Sequence, residues 1–197
     1  MKLLKLLFLV TPFVFALWAC EGSIDDEKRV SNDAAIERFI SSNKLTYTKQ
    51  NFVYHSILSK GYGYQVNRGD SVAFWYIGQT LTGIVFDTNI LDVAIKKDLD
   101  TSTRNFEPIK VVAGKSNLLE GLKRGLLLCR EGQNSMILFP SSLGFEGNAV
   151  GPIDPWSPLA YTIFIIYVKN QKIEEEQNFI SNFVASSEGF SQDTLGF

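Results

Sequence analysis

The clearest hydrophobic pattern in the chain lies near its middle, where apolar and aromatic residues run from Ser71 to Thr80. Such a run is typical of a strand buried on both faces. The next three residues, 81–83, predict a tight turn in which Gly83 adopts a positive φ angle. Phe86 and Asp87 follow directly. An aromatic ring beside a carboxylate at a strand end is typical of an apolar pocket with one polar anchor. A plain buried hairpin in which Asp87 begins a turn remains an equal alternative.

Further strands are predicted from short apolar runs on both sides of this stretch, over residues 52–58, 108–112, 135–140 and 159–168. Between them, Leu118, Leu119, Leu122 and Leu126 recur at helical spacing and predict one short amphipathic helix. Strands that follow one another with a single helix among them predict an α+β fold with an antiparallel sheet.

The segments before and after the predicted domain show the spacing of apolar residues that is typical of amphipathic helices. Ile36, Phe39 and Ile40 share one helical face, so residues 20–48 predict an acidic tether followed by a short amphipathic helix that docks on the domain. Residues 171–197 predict a second amphipathic helix, with Phe179 and Ile180 on its apolar face, and a tail. The domain itself is expected over residues 49–170.

Residues 88–107 form a long polar and charged connection directly after Asp87. Residues 90–97 predict a helical turn or two, and residues 98–107 predict a loop. Connections of this length in compact domains are usually functional or mobile. We therefore expect a mobile, surface-exposed insertion at the rim of the pocket.

The first nineteen residues do not belong to the fold. Lys2 and Lys5 precede an apolar run from Leu6 to Leu17, which is too short for a membrane span and typical of a signal peptide. The run ends before Cys20 in a sequence that resembles the bacterial lipobox, so lipid attachment is predicted at Cys20. The alternative is an ordinary signal peptide with an incidental cysteine. The acidic residues after Cys20 resemble the surface-export signal of Bacteroidetes-type lipoproteins, and a solvated spacer is equally open.

Net charge and the content of cysteine and histidine argue against nucleic-acid binding and against a metal site. The formal net charge of −2 becomes −4 without the two lysines of residues 1–19, and this balance gives no basic footprint for nucleic acid. Cys129 follows an apolar run and is predicted to be a small buried hydrophobe. His55 is the only histidine and is expected to be structural. No cluster of metal-ligating residues is visible, so neither a metal nor another cofactor is expected.

Six short motifs follow one another in order across residues 52–169. Tyr76 and Gly78 fit the pattern Y-x-G, and Gly83, Phe86 and Asp87 fit the pattern G-x-x-F-D. The other four motifs are 61–63 with 69–72, 118–126, 132–133 with 139–145, and 153–159. In this order the six motifs resemble those of the FKBP-type peptidyl-prolyl cis-trans isomerases. The resemblance implies a twisted antiparallel sheet wrapped around the helix at 118–126, with short flanking helices at both ends of the chain.

The resemblance also implies the site. By carry-over, the catalytic positions are Tyr76, Phe86, Asp87, Leu119, Phe145 and Tyr161, and the substrate-binding positions are Ile109, Leu118, Leu122 and Ile153. Asp87 is expected to orient Tyr76, and the N–H of Leu119 is expected to hold a substrate carbonyl. Phe145 replaces a tyrosine that usually donates a hydrogen bond, Leu122 replaces a frequent tryptophan, and Tyr161 replaces a phenylalanine.

These departures predict a proline-sized pocket that is less aromatic than is usual and short of one donor. The implied partner is a proline-containing polypeptide, and the implied protein is an isomerase anchored through Cys20 to a bacterial outer membrane. It would face the periplasm or the cell surface and assist the folding of exported proteins. The alternative is a binding or chaperone module of the same fold with weak or no isomerase activity.

Overall fold

Seven antiparallel strands form one sheet in the computed structural model, which describes residues 24–170 and 178–184. The strands are β1 (Thr48–Gln50), β2 (Val53–Ser59), β3 (Ser71–Thr80), β4 (Val85–Thr88), β5 (Ile109–Val112), β6 (Asn134–Phe139) and β7 (Leu159–Lys169). Their order is β1-β2-β6-β7-β3-β4, and β5 also pairs with β3. The predicted α+β class and antiparallel sheet are therefore confirmed.

The longest pairing joins β3 to β7 and runs from Ser71 to Thr80. The other edge of β3 is shared, because β5 pairs with its first half and β4 with its second half. The turn between β3 and β4 is the predicted one, with Gly83 at φ +89°. A side chain at this φ would be strained, so the glycine lets the chain reverse tightly.

Within residues 24–170, three α-helices accompany the sheet: α1 (Ile24–Ser42), α2 (Leu91–Lys96) and α3 (Glu120–Leu126). Helix α3 packs on β6 through two glycines one turn apart. A Cβ atom at Gly121 would lie 2.2 Å from the Phe139 ring, and one at Gly125 would lie 2.4 Å from Ile137. These glycines let the helix approach the sheet closely, and the main hydrophobic core fills the space between helix and sheet.

Helix α1 covers part of the opposite face of the sheet. Ile36 and Ile40 are buried there in a second, smaller core with Tyr54, Leu138 and Ala160. The predicted docking of this apolar face is thus confirmed, although the helix is longer than the short one expected.

The expectation of an acidic tether is wrong from Ile24 onward, because these residues already belong to α1. Early in the helix, the Arg29 guanidinium lies 5.2 Å from the centre of the Phe52 ring, in addition to a local pair with Asp26 at 2.8 Å. Further along, the buried side chain of Asn32 accepts a hydrogen bond from the backbone N–H of Ser141 at 2.7 Å. The helix is fixed by partners that lie far away in sequence.

The predicted signal peptide, Cys20 and residues 171–177 and 185–197 lie outside the described residues. Within the predicted C-terminal segment, residues 178–184 are helical, and the side chains of Phe179 and Ile180 are exposed. No helix in the described ranges combines the length and the apolar character needed to cross a membrane.

Candidate active site

A cavity of about 410 Å³ opens between the sheet and the chain that leads into α3. Strand β3 provides Phe74 and Tyr76, and the neighbouring strands provide one side chain each. Apolar groups form most of the wall. The lining residues are Phe74, Tyr76, Asp87, Ile109, Asn117, Leu118, Leu119, Leu122, Phe145 and Tyr161.

The aromatic wall of the cavity depends on Gly78. Phe74, Tyr76 and Gly78 point to the same face of β3 because side chains alternate along a strand. At Gly78 a Cβ atom would lie 2.8 Å from Cε1 of Tyr161 and 2.9 Å from Cε2 of Phe86. The missing side chain therefore gives two rings the space to meet over β3.

Tyr161 is the centre of the aromatic cluster that results. Its ring centre lies 6.1 Å from that of Tyr76, 5.7 Å from that of Phe86 in an edge-on contact, and 5.8 Å from that of Phe139 in a stacked contact. Such offset and edge-on pairs add about 0.5–1.5 kcal/mol each beyond the burial of their area. The wall is consequently held rigid by ring contacts on several sides.

At the rim of the cavity, Tyr76 and Asp87 of the lining form a hydrogen-bonded cluster with Arg104, which lies outside the lining. We call these three residues the rim cluster. The Tyr76 hydroxyl donates to Oδ2 of Asp87 at 2.7 Å, and Nη1 of Arg104 donates to Oδ1. Arg104 also reaches the carbonyl of Phe86 at 3.3 Å. Burial, with the Asp87 charge in addition, raises the pKa of Tyr76. The phenol therefore stays protonated and remains a donor to Asp87.

The insertion is fixed to the sheet beside this cluster. The carboxamide of Asn89 accepts from the backbone N–H of Tyr76 at 2.8 Å and donates to the carbonyls of Phe74 at 3.1 Å and Glu107 at 2.9 Å. Asn89 thus joins the two ends of the insertion across the gap between β4 and β5. The expected short helix is confirmed as α2. The expectation of surface exposure is wrong for Thr88, Asn89 and Ala94, which are buried.

The structure brings most of the predicted site residues together, since Tyr76, Asp87, Leu119, Phe145, Tyr161, Ile109, Leu118 and Leu122 all line the cavity. Two predicted residues do not line it. Phe86 packs edge-on against Tyr161, so it supports the wall. Ile153 is buried in the main core and pairs with Val150. Leu119, just before α3, has a backbone N–H with no acceptor in the described part of the chain.

Three residues of the site were missed by the sequence analysis. Phe74 is two positions before Tyr76 on the same strand, so alternation alone could have found it. Asn117 directly precedes two predicted residues but carries no pattern of its own. Arg104 lies in a polar stretch, and no sequence signal points from it to Asp87.

A second polar cluster lies outside the cavity and consists of His55, Gln133 and Ser135, which we call the core cluster. Nε2 of His55 lies 3.0 Å from the Gln133 amide nitrogen and 3.0 Å from Oγ of Ser135. The amide can only donate, so the imidazole nitrogen accepts and the ring is neutral. Burial lowers the pKa of His55. The lone histidine is therefore structural, as expected.

Cys129 lies beside the core cluster, with its sulfur 4.0 Å from Nε2 of His55. It is fully buried, and burial raises the pKa of its thiol to about 12. A thiol in this state is not a nucleophile at neutral pH. Across the described ranges, no three histidine, cysteine or acidic side chains converge as metal ligands.

The amino-acid sequence matches one protein family and a curated relative. Residues 63–166, just over half of the chain, match the family of FKBP-type peptidyl-prolyl cis-trans isomerases. The short-type peptidyl-prolyl cis-trans isomerase of Methanocaldococcus jannaschii is 29% identical over 80 residues, which are 41% of this chain and 50% of that protein. The chain thus spans about half the length of this curated relative.

Two solved structures share the fold. FkpA from Escherichia coli superposes with a TM-score of 0.53 at 19% identity, over 73% of this chain and 62% of that chain. A peptidyl-prolyl cis-trans isomerase from Pseudomonas syringae pv. tomato superposes with a TM-score of 0.52 at 20% identity, over 72% of this chain and 95% of that chain. At these identities the likeness concerns the fold.

Proposed function

The chain belongs to the FKBP-type peptidyl-prolyl cis-trans isomerases, and from this premise we propose that it accelerates cis-trans rotation about X–Pro bonds in polypeptides that enter the cavity. The observation that carries the proposal is the cavity itself. Its volume is about 410 Å³ and its walls are mostly apolar. Asp87, the one charged residue of the lining, is paired at the rim with Arg104.

The chemistry required of such a cavity is modest. Rotation about an X–Pro bond faces a barrier of about 20 kcal/mol because amide resonance holds the bond planar. An apolar wall removes water from the bond, which weakens the charge-separated resonance form and favours the twisted state. A thousandfold acceleration needs only about 4 kcal/mol of stabilisation of the twisted state over the planar one. Neither a nucleophile nor a proton transfer is required.

The positions of two groups support roles in holding the substrate. The N–H of Leu119 is free to donate to a substrate carbonyl. Asp87 accepts from both Tyr76 and Arg104, so it holds the Tyr76 ring in place at the cavity wall.

The location of the activity is part of the proposal. The lysines and apolar run of residues 1–19, followed by Cys20, support export and lipid attachment at Cys20. We infer that the mature protein is an outer-membrane lipoprotein that faces the periplasm or the cell surface. Its substrates would then be exported proteins during folding.

An isomerisation assay on a proline-containing tetrapeptide tests the activity. Wild type should accelerate the reaction, and Leu118→Ser, which makes the cavity wall polar, should lower kcat/KM several-fold. Val112→Ser is the matched control, because Val112 is an exposed apolar residue of β5 that does not line the cavity. Acceleration absent from the folded wild type, together with retained peptide binding, would identify a binding module instead.

Cell fractionation tests the anchor. Several acyl chains hold a protein firmly on a membrane, whereas one chain gives only marginal binding. Cys20→Ser should therefore move the protein from the membrane pellet to the soluble fraction. A variant that stays in the pellet as firmly as wild type would contradict the lipoprotein assignment but leave the isomerase assignment intact.

A further inference from the structure

The polar groups that line the cavity differ in whether they already have partners. Tyr76 and Asp87 are bonded within the rim cluster. Asn117 is an exposed residue at the mouth of the cavity. This leaves Tyr161 as the one buried side chain of the lining that carries a hydroxyl and no hydrogen bond to another residue of the described chain.

The hydroxyl of Tyr161 faces the cavity. The side chain as a whole is only 4% exposed, and ring contacts to Tyr76, Phe86 and Phe139 fix its position. In the described chain the fully buried side-chain atoms without a partner are Nε of Arg104 and Oδ1 of Asn134, so the Tyr161 hydroxyl is open to water in the cavity. A group that enters the cavity can displace this water and accept the hydrogen bond in its place.

The chemistry of a proline-containing chain indicates what that group is. Proline has no backbone N–H, so the polar groups that such a segment presents near its ring are carbonyl oxygens. Carbonyl oxygens accept and need a donor. Burial and the nearby charge of Asp87 raise the pKa of Tyr161, so its hydroxyl keeps its proton at neutral pH. The hydroxyl is thus a permanent donor in an apolar wall.

We propose that the Tyr161 hydroxyl donates a hydrogen bond to a backbone carbonyl of the bound chain and so determines how tightly the cavity holds proline-containing substrates. This inference rests on the proposed function, since it assigns a substrate contact at the same cavity. It adds a substrate-binding donor to the free N–H of Leu119.

The carbonyl involved is one that flanks the isomerising bond. A donor on the carbonyl of the isomerising bond itself would strengthen amide resonance and raise the barrier. A donor on a flanking carbonyl acts equally on the planar and the twisted substrate. Such uniform binding lowers KM without changing kcat.

The test compares wild type with Tyr161→Phe, which removes only the hydroxyl. Tyr167→Phe is the matched control, because Tyr167 lies on the same strand and does not line the cavity. The measurements are KM and kcat for a proline tetrapeptide, the Kd of that peptide by NMR titration, and Tm. We expect Tyr161→Phe to raise KM and Kd about fivefold, which corresponds to one hydrogen bond of about 1 kcal/mol. Both kcat and Tm should stay at the wild-type values.

The outcomes separate the two proposals. An unchanged Kd in Tyr161→Phe overturns the substrate contact, even if the wild type is an active isomerase. A fall in kcat at unchanged KM overturns it as well, and a lower Tm with unchanged Kd assigns the hydroxyl to stability. If wild type binds the peptide without accelerating isomerisation, the isomerase proposal fails and the Kd comparison alone decides the contact. A wild type that does not bind the peptide overturns both.

Discussion

The rim cluster and the core cluster both place polar side chains in apolar surroundings, but they differ in charge and in exposure to solvent. Each places three polar side chains among apolar neighbours and joins them by hydrogen bonds. The rim cluster contains a carboxylate and a guanidinium, and these two side chains remain 40% and 26% exposed. In the core cluster every member is neutral and buried.

The difference in solvent exposure between the two clusters follows from the free energy that burying a charge costs. An ion removed from water loses several kcal/mol of solvation, whereas a neutral group loses much less if it is hydrogen-bonded. The charged cluster therefore lies at the rim, where solvent can reach it, and the neutral one lies within the core. We conclude that the core cluster contributes mainly to stability and the rim cluster mainly to the geometry of the site.

The largest expected effect comes from breaking the core cluster at Gln133. Gln133→Ala removes the donor to both His55 and Ser135, so that within the core cluster these two buried side chains keep only each other as partner. It should lower the free energy of unfolding by about 1–3 kcal/mol, as measured by urea denaturation. Gln50→Ala, on the exposed strand β1, is the control and should change little. Equal stability of the two variants would show that the core cluster contributes nothing.

The second effect is the pH dependence of stability that His55 of the core cluster introduces. Burial lowers the pKa of His55 below its ordinary value of 6.5. As the pH falls through 6.5, the unfolded chain therefore binds a proton that the folded protein does not bind, and stability decreases. The slope is at most about 1.4 kcal/mol per pH unit, and the loss ends below the folded-state pKa.

Because His55 is the only histidine, a single variant isolates this slope. Urea denaturation between pH 7 and pH 5 should give a weaker pH dependence for His55→Gln than for wild type, whatever the absolute stability of the variant. Identical slopes in the two proteins would refute the assignment.

A smaller effect on stability is expected from the rim cluster. Arg104→Gln removes the ion pair with Asp87, and partly exposed pairs are worth about 0–1 kcal/mol. The free energy of unfolding should therefore change by less than about 1 kcal/mol, while kcat/KM falls about threefold because Asp87 loses one hydrogen bond. Arg29→Gln is the matched control, since it breaks an ion pair with Asp26 away from the cavity. If Arg104→Gln lowered the free energy of unfolding by more than about 1 kcal/mol and left kcat/KM unchanged, the rim cluster would contribute to stability and not to the site.

The smallest expected effect is a gain. Phe145 lines the cavity without a hydroxyl, and Phe145→Tyr adds a donor at the position where the family usually has one. Turnover on a proline tetrapeptide should rise a few-fold, in line with a hydrogen bond of about 1 kcal/mol net, without a large change in Tm. Unchanged turnover in a folded, active variant would show that the ring at this position does not face the substrate.

The sequence by itself determined the sheet and most of the cavity wall. Alternation and the turn at Gly83 are local properties, so β3 and its hairpin to β4 could be predicted from a short stretch of residues. The order of six motifs then predicted the family and the lining positions from Tyr76 to Tyr161. His55 and Cys129 were predicted to be structural from their number and their neighbours, and both are buried.

The tertiary structure decided what depends on partners far apart in the chain. Asn32 fixes α1 to Ser141 across 109 positions, Asn89 fixes the insertion to β3, and Arg104 reaches Asp87 from a polar loop. None of these residues differs in type from the solvated polar residues around it. A side-chain hydrogen bond leaves no periodic pattern in the sequence, and its partner is known only once the backbone has brought the two groups within about 3 Å.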